Sequence, residues 1–254
     1  MTFPELEDTS SQPPAPVNPY YVPWNWRDLA TGIGGVLILL FLLASAAYPF
    51  IDHYGEDSTE GRLVNTVVNG AWYLGSVALI YLIVSRRGAS WRDLGLRRPQ
   101  RRESWMRVIG AIGLFLLCAY IAVLVYGVLI DALGLDSLEP EQQIEDEVYE
   151  SDFVVIATGA LVVFGAPFAE ELLFRGFLFA KLRMHLPFIF AAAFSGGFFS
   201  LAHLDPGLIL PFTAVGMLLA FIYERTGTLW ASIGVHFCFN LITFIVLVFV
   251  PEAR

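Results

Sequence analysis

Residues 153–183 read FVVIATGALVVFGAPFAEELLFRGFLFAKLR, and how this stretch is taken decides the fold. Positions 153–169 carry no Asp, Glu, Lys or Arg, yet that run alone is short of the ~20 apolar residues a membrane-spanning helix needs. Read on through Glu170, Glu171 and Arg175 to Arg183, it becomes one long spanning helix with charge inside the bilayer, which Gly165 and Pro167 can bend. An ionisable side chain at such depth costs ~2.5–3.5 kcal/mol on insertion scales, so those that persist face a cavity or a partner.

The rest of the chain agrees with a membrane solvent. Of its 254 residues 56% are hydrophobic and only 15% are Asp, Glu, Lys or Arg, too little charge to clothe a soluble surface. A mean hydropathy of +0.63 and a pI near 4.9 exclude a disordered chain and a basic nucleic-acid binder. Cys118 and Cys238 cannot build a disulfide framework. Besides 153–169, the charge-free stretches are 29–51, 63–85, 108–130, 184–204, 206–223 and 226–251. The expected fold is therefore all-α, a polytopic transmembrane helix bundle of about seven spans, with an eighth if the long fourth one breaks in two.

The linkers separate by sign. Arg86, Arg87, Arg92, Arg97, Arg98, Arg101, Arg102 and Arg107 lie between the second and third spans, while nine acids and no Lys or Arg lie from Asp131 to Asp152. The positive-inside rule then places the Arg-rich loop and the N-terminus in the cytoplasm and the C-terminus outside, and Lys181, Arg183 and Arg225 fall on the same inner side. The acidic loop reads as a solvated outer loop. Residues 1–26 are polar, acidic and proline-rich without the basic start of a signal peptide, which predicts a disordered, uncleaved cytoplasmic tail. Tyr20, Trp24 and Trp26 read as an interfacial aromatic belt. Residues 27–130 then form supporting helices with a basic cytoplasmic loop, and 153–250 the functional core.

Few polar groups remain inside the spans. They are Glu170, Glu171 and Arg175 on the fourth, His203 on the fifth, and His236 with Asn240 on the seventh; the first three spans offer only Asn65 and Asn69 near one end. Glu171 and Arg175 are four apart with Glu first, the favoured order for a helical ion pair. Glu170 is turned by ~100° from its neighbour and can face a cavity. His236 and Asn240 share one helix face, and Asp205-Pro206-Gly207 can stop the fifth helix beside His203. At 1.5 Å per residue from the inner ends, Glu170 lies ~20 Å deep, His236 ~13 Å and His203 ~24 Å, so tilt, or a short fifth helix starting below the surface, would bring them into one layer. His53 and His185 read as structural.

A carboxylate, two imidazoles and a carboxamide in a low-dielectric cavity suit hydrolysis. The carboxylate beside a histidine can hold and deprotonate water, and imidazole and amide N–H groups can stabilise an oxyanion. The same Glu170, His203 and His236 could instead hold zinc with one open position, although the His-Glu-x-x-His helix of zinc proteases is absent.

These residues carry a family resemblance. Glu170-Glu171-Leu-Leu-Phe-Arg175, Phe199-Ser-Leu-Ala-His203 and His236-Phe-Cys-Phe-Asn240 resemble, in order, the three motifs of the CPBP family, which includes the type II CAAX prenyl endopeptidases and bacteriocin-immunity-type relatives. Trp91-Arg-Asp-Leu-Gly-Leu-Arg-Arg-Pro99 resembles the family's basic lead-in. The resemblance implies an intramembrane endopeptidase acting on a membrane protein or lipid-anchored peptide, with no nucleic-acid partner. It implies Glu170 and His203 as the water-activating pair, His236 and Asn240 as the oxyanion site, and Glu171 with Arg175 as a brace. It leaves open whether a divalent metal takes part, and also a non-proteolytic immunity or regulatory role. A bacterial cytoplasmic membrane is the expected location.

Overall fold

The computed structural model describes residues 21–56, 58–98, 103–135, 138 and 151–249. The proposed tail up to residue 20 and most of the acidic loop lie outside the described residues. Among those described, the chain is helical with no strand: α1 (Trp26–Tyr54), α2 (Thr59–Ser85), α3 (Glu103–Leu133), α4 (Phe153–Arg183), α5 (Phe188–Leu201), α6 (Ile209–Thr226) and α7 (Leu229–Phe249). Six of the seven are long and apolar enough to cross a bilayer, and α5 is the exception. The surface is inverted as lipid demands: Phe41, Leu74 and Leu124 are 70%, 75% and 67% exposed, while charge is buried within. This is an integral membrane bundle.

Helix ends follow from local chemistry. Asn25 caps α1, accepting from Arg27 and Asp28 backbone N–H groups, while Asp28 accepts in return from the Asn25 N–H. Ser58 caps α2 by accepting from the Gly61 N–H. Gly227, at φ +67°, closes α6 in the left-handed conformation.

α4 stays one helix, so no eighth span arises. Two π-helical turns, Leu161–Gly165 and Leu172–Phe179, are built into it. The first absorbs Pro167: the Ala166 N–H reaches back five residues to Leu161 O. Pro167 has no N–H of its own, so Val162 O is left without a helical donor.

α1 and α2 form one antiparallel pair and α5 and α6 another, with α3 packed on α6 and α7 and with α4 running between. Inner-side charges pair at one end of the bundle. There Arg183 meets Glu224 at 3.0 Å and Arg87 meets Asp28 at 2.8 Å. The bond to Asp28 pushes the Arg87 guanidinium further above its ordinary value. Arg97 donates to Gly227 O, and the Leu229 N–H donates to Gly95 O, which ties the basic loop to the α6–α7 turn.

Trp24 corrects the aromatic-belt expectation. It is fully buried and donates its indole N–H to Phe177 O, and Val22 is buried beside it. A tail running to residue 26 is therefore too long: 22–24 are packed chain. Trp26 is half exposed and lies against the His185 ring.

Candidate active site

α4 delivers two adjacent carboxylates with different surroundings. Glu171 is wholly buried; its Oε1 accepts from Arg175 Nη1 at 2.8 Å and lies 3.1 Å from His236 Nδ1. Arg175 is equally buried, donates its Nη2 to Gly216 O at 3.0 Å and lies 4.6 Å above the Phe199 ring. A guanidinium so placed has a carboxylate, a carbonyl and an aromatic face in place of water. The sequence-expected pair is present, and it reaches further than expected by holding His236 as well.

Glu170 turns the other way, into a cavity of about 180 Å³ that it lines together with His203, His236 and Asn240. Its Oε2 is 3.8 Å from His236 Nε2, and its Oε1 accepts from the Tyr73 hydroxyl at 3.2 Å. The remaining wall is largely aromatic and aliphatic, with Phe199, Phe212, Val215, Phe239 and Phe244 prominent.

The fifth helix is shorter than its charge-free stretch, and the turn after it brings His203 to the cavity that Glu170 and His236 line. The charge-free stretch 184–204 is long enough to span, but helix forms only over Phe188–Leu201, roughly 21 Å of rise. Pro187 precedes it, and Asp205 accepts from the Gly207 N–H in the turn that follows. His203 sits in that turn, lining the same cavity as Glu170 and His236. Its Nδ1 is 2.9 Å from Phe199 O. A carbonyl only accepts, so Nδ1 carries the proton and Nε2 of the neutral ring is bare. The ring is wedged edge-on between Phe199 and Phe212.

On α7, Asn240 Nδ2 donates to Val162 O at 2.9 Å. That is the carbonyl the π turn and Pro167 leave without a helical donor. One N–H of the carboxamide thus holds α7 to α4, and the other remains to serve the cavity. With Nδ1 of His236 donating to Glu171, its Nε2 can donate to an oxyanion only from the imidazolium.

Sequence reasoning missed Tyr73, because a search for ionisable side chains passes over a hydroxyl that is neutral near pH 7. It also set Asn69 aside near a helix end, whereas Asn69 lines a second cavity next to Glu170. A metal was left open, with Glu170, His203 and His236 as its holders. Among the described residues no three His, Cys, Asp or Glu side chains are grouped closely enough to hold an ion.

The fold and site define a class: a membrane-integral helix bundle whose Glu170, His203, His236 and Asn240 line one cavity, with Glu171 and Arg175 buried behind it. Within that class, residues 152–242 match the family described as type II CAAX prenyl endopeptidase, Rce1-like, in agreement with the resemblance read from the motifs. The chain is also 26% identical over 218 residues to a Bacillus subtilis (strain 168) protein named "Putative membrane peptidase YdiL", covering 85% of this chain and 87% of that one. No solved structure matches the chain.

Proposed function

We propose that the protein is an intramembrane endopeptidase that hydrolyses a peptide bond of a membrane-associated or lipid-anchored protein in the cytoplasmic membrane of a bacterium. The observation that carries this reading is the single cavity lined by Glu170, His203, His236 and Asn240. Family and relative support it in kind, since both are named for peptidase activity.

In this mechanism the Glu170 carboxylate takes a proton from water as the water oxygen attacks the scissile carbonyl. The bare Nε2 of His203 accepts the water's second hydrogen as a hydrogen bond and orients it. The oxyanion that forms is met by the Nε2–H of the His236 imidazolium and by the free amide N–H of Asn240. Glu170 then passes its proton to the departing amine nitrogen as the C–N bond breaks. Glu171 orients His236 through Nδ1, and Arg175 balances the Glu171 charge. No step is routed through a metal.

The test compares bacterial membranes carrying the wild-type chain, Glu170→Gln or His203→Ala, by sequencing newly formed protein N-termini. New termini present only with the wild type are expected. Identical termini in all three, with the variants inserted and folded, would overturn the assignment. If instead the wild type and both variants yield no termini while a biological phenotype persists, a non-enzymatic role takes its place.

A further inference from the structure

Glu170 stands between two cavities of different character. The first, described above, is walled mainly by aromatic and aliphatic side chains. The second, about 160 Å³, lies between α2, α4 and α5, and Tyr73, Glu170 and His203 line both. Its wall adds Asn69 and Ser76 from α2 and Trp72, Leu173 and Phe174 around them. Glu170 addresses both sides at once, with Oε1 on the Tyr73 hydroxyl and Oε2 towards His236.

Ser76 is the second, independent sign that something polar belongs there. It is 4% exposed, and its Oγ has no hydrogen-bond partner among the described residues. A hydroxyl inside an apolar helix ordinarily bonds back to the carbonyl four residues earlier. Thr66 does so to Arg62 O, and Thr226 to Ile222 O. Ser76 does not, although an unsatisfied buried hydroxyl costs roughly 1–3 kcal/mol. A small molecule that both donates and accepts hydrogen bonds would satisfy Ser76 Oγ, the Asn69 amide and the Glu170 carboxylate together. Water has that chemistry, and the volume has room for several.

We infer that this second cavity is a hydration site that feeds the hydrolytic water to Glu170 from the α2 side, opposite the face where His236 and Asn240 receive the peptide, with Tyr73 as the residue that positions Glu170 between them. The inference rests on the proposed peptidase reading for the fate of the water, but not for its presence. It gives the α1–α3 half of the chain a part in the reaction that its lack of ionisable groups conceals. The Tyr73 hydroxyl fixes which carboxylate oxygen remains free for proton transfer. Asn69 and Ser76 hold the queue of water behind it.

The experiment uses the full chain in liposomes, with Cys118 and Cys238 replaced by Ala, and methanethiosulfonate ethylammonium as probe. Only a thiolate reacts, and a thiolate exists only where water reaches. The Ser76→Cys variant is compared with Leu74→Cys, whose position lies on the same helix at similar depth but faces lipid. The thiol of the Ser76→Cys variant is expected to be modified roughly tenfold or more faster than that of Leu74→Cys, by the thiolate dependence of the reaction. Equal, slow modification of both variants overturns the inference, whatever the protease assay gives. Fast reaction of the Ser76→Cys variant in a protein whose wild type cleaves nothing supports the hydration site and removes the peptidase reading instead.

In a cleaving protein, Ser76→Leu is expected to lower kcat roughly tenfold at unchanged KM, a loss in the chemical step alone. Tyr73→Phe should do likewise, and Tyr73→Leu should add no rise in KM. A raised KM with intact kcat in Ser76→Leu would make the cavity a substrate subsite and overturn the water route.

Discussion

Two antiparallel helix pairs frame the site, and they solve close approach in different ways. In the α1–α2 pair, a Cβ added at Gly35 would lie 2.6 Å from Leu79 Cδ2, and one at Gly75 would lie 2.5 Å from Leu39 Cδ2. Each glycine receives the end of a leucine side chain from the other helix. In the α5–α6 pair the backbones themselves meet: a Cβ at Gly216 would lie 2.6 Å from Gly196 Cα, and one at Gly196 would lie 2.6 Å from Thr213 O. Small residues at helix contacts serve packing in both pairs. Only the second pair turns packing into chemistry, because the thin spot at Gly216 leaves its carbonyl within reach of Arg175. Both pairs lend a backbone carbonyl to a side chain of another helix, Val36 O to the Trp72 indole N–H and Gly216 O to Arg175; they differ in that only the second carbonyl serves a charged group beside the cavity.

The largest test of that difference removes the guanidinium. Arg175→Leu leaves buried Glu171 with His236 alone in place of its guanidinium partner, a loss of about 3–5 kcal/mol, and the protein is expected to fail to accumulate or to melt far below the wild type in detergent. Glu171→Leu combined with Arg175→Leu should regain much of the melting temperature, since it removes both charges. It should not regain activity, because His236 loses the acceptor on Nδ1. Recovery of activity in the double variant would show that the pair has no part in orienting His236.

The glycines offer a direct contrast at the next scale. Gly216→Ala drives a methyl into backbone that cannot move aside and should cost about 1–3 kcal/mol, the range for overpacking. Gly75→Ala meets only the end of Leu39, which can change rotamer, and should cost under about 1 kcal/mol. The measurement is thermal unfolding of both variants in one detergent. Equal losses would mean that the two pairs are alike after all.

Asn240 comes next because it belongs to both packing and chemistry. Asn240→Ala removes the donor to Val162 O and should destabilise by about 1–2 kcal/mol, for one buried hydrogen bond left unmade. If its second N–H serves the oxyanion, kcat should fall further, by roughly 10²-fold, at constant KM. A loss of stability with undiminished kcat would reduce Asn240 to interhelical attachment.

Charge scarcity made the functional half legible before any coordinates. Glu170, Glu171, Arg175, His203, His236 and Asn240 stood out because each costs free energy in a bilayer, and α4, α7 and the turn after α5 do bring them together. The spacing of Glu171 and Arg175 foretold their pair, and the ~100° offset foretold that Glu170 would face elsewhere. Other features were hidden, or only partly visible, for physical reasons. The first π turn of α4 leaves no mark on hydrophobic patterning, since every residue of 161–165 is apolar or glycine. The depth count left room for a short α5, but its start could not be read because Met184 and Leu186 suit lipid whether helical or not. Tyr73 and Ser76 are neutral and cheap to bury, so nothing in composition distinguished them from packing. Trp24 misled in the opposite sense, because an aromatic residue ahead of a span fits a membrane interface as well as it fits a core.

The turns closing the two pairs carry the smallest contrast. α1 ends at Gly55, with φ +88°, a conformation glycine adopts at little cost. The turn after α5 places Leu204 at φ +56°, where a side chain normally costs roughly 1–2 kcal/mol. Leu204 is 84% exposed, so its side chain offsets little of that by packing within the protein. It follows His203 directly, and a strained residue there narrows the paths along which the His203 backbone can relax. Leu204→Gly should therefore raise stability slightly, because the strain released exceeds the roughly 0.4–1 kcal/mol of added chain entropy in the unfolded state. Gly55→Leu should lower it by a similar amount. Activity is expected to separate them: Leu204→Gly should lose a small factor in kcat as His203 gains freedom, whereas Gly55→Leu, far from the site, should leave kcat unchanged in the folded fraction. A more stable and equally active Leu204→Gly would mean that the left-handed leucine does nothing for the histidine beside it.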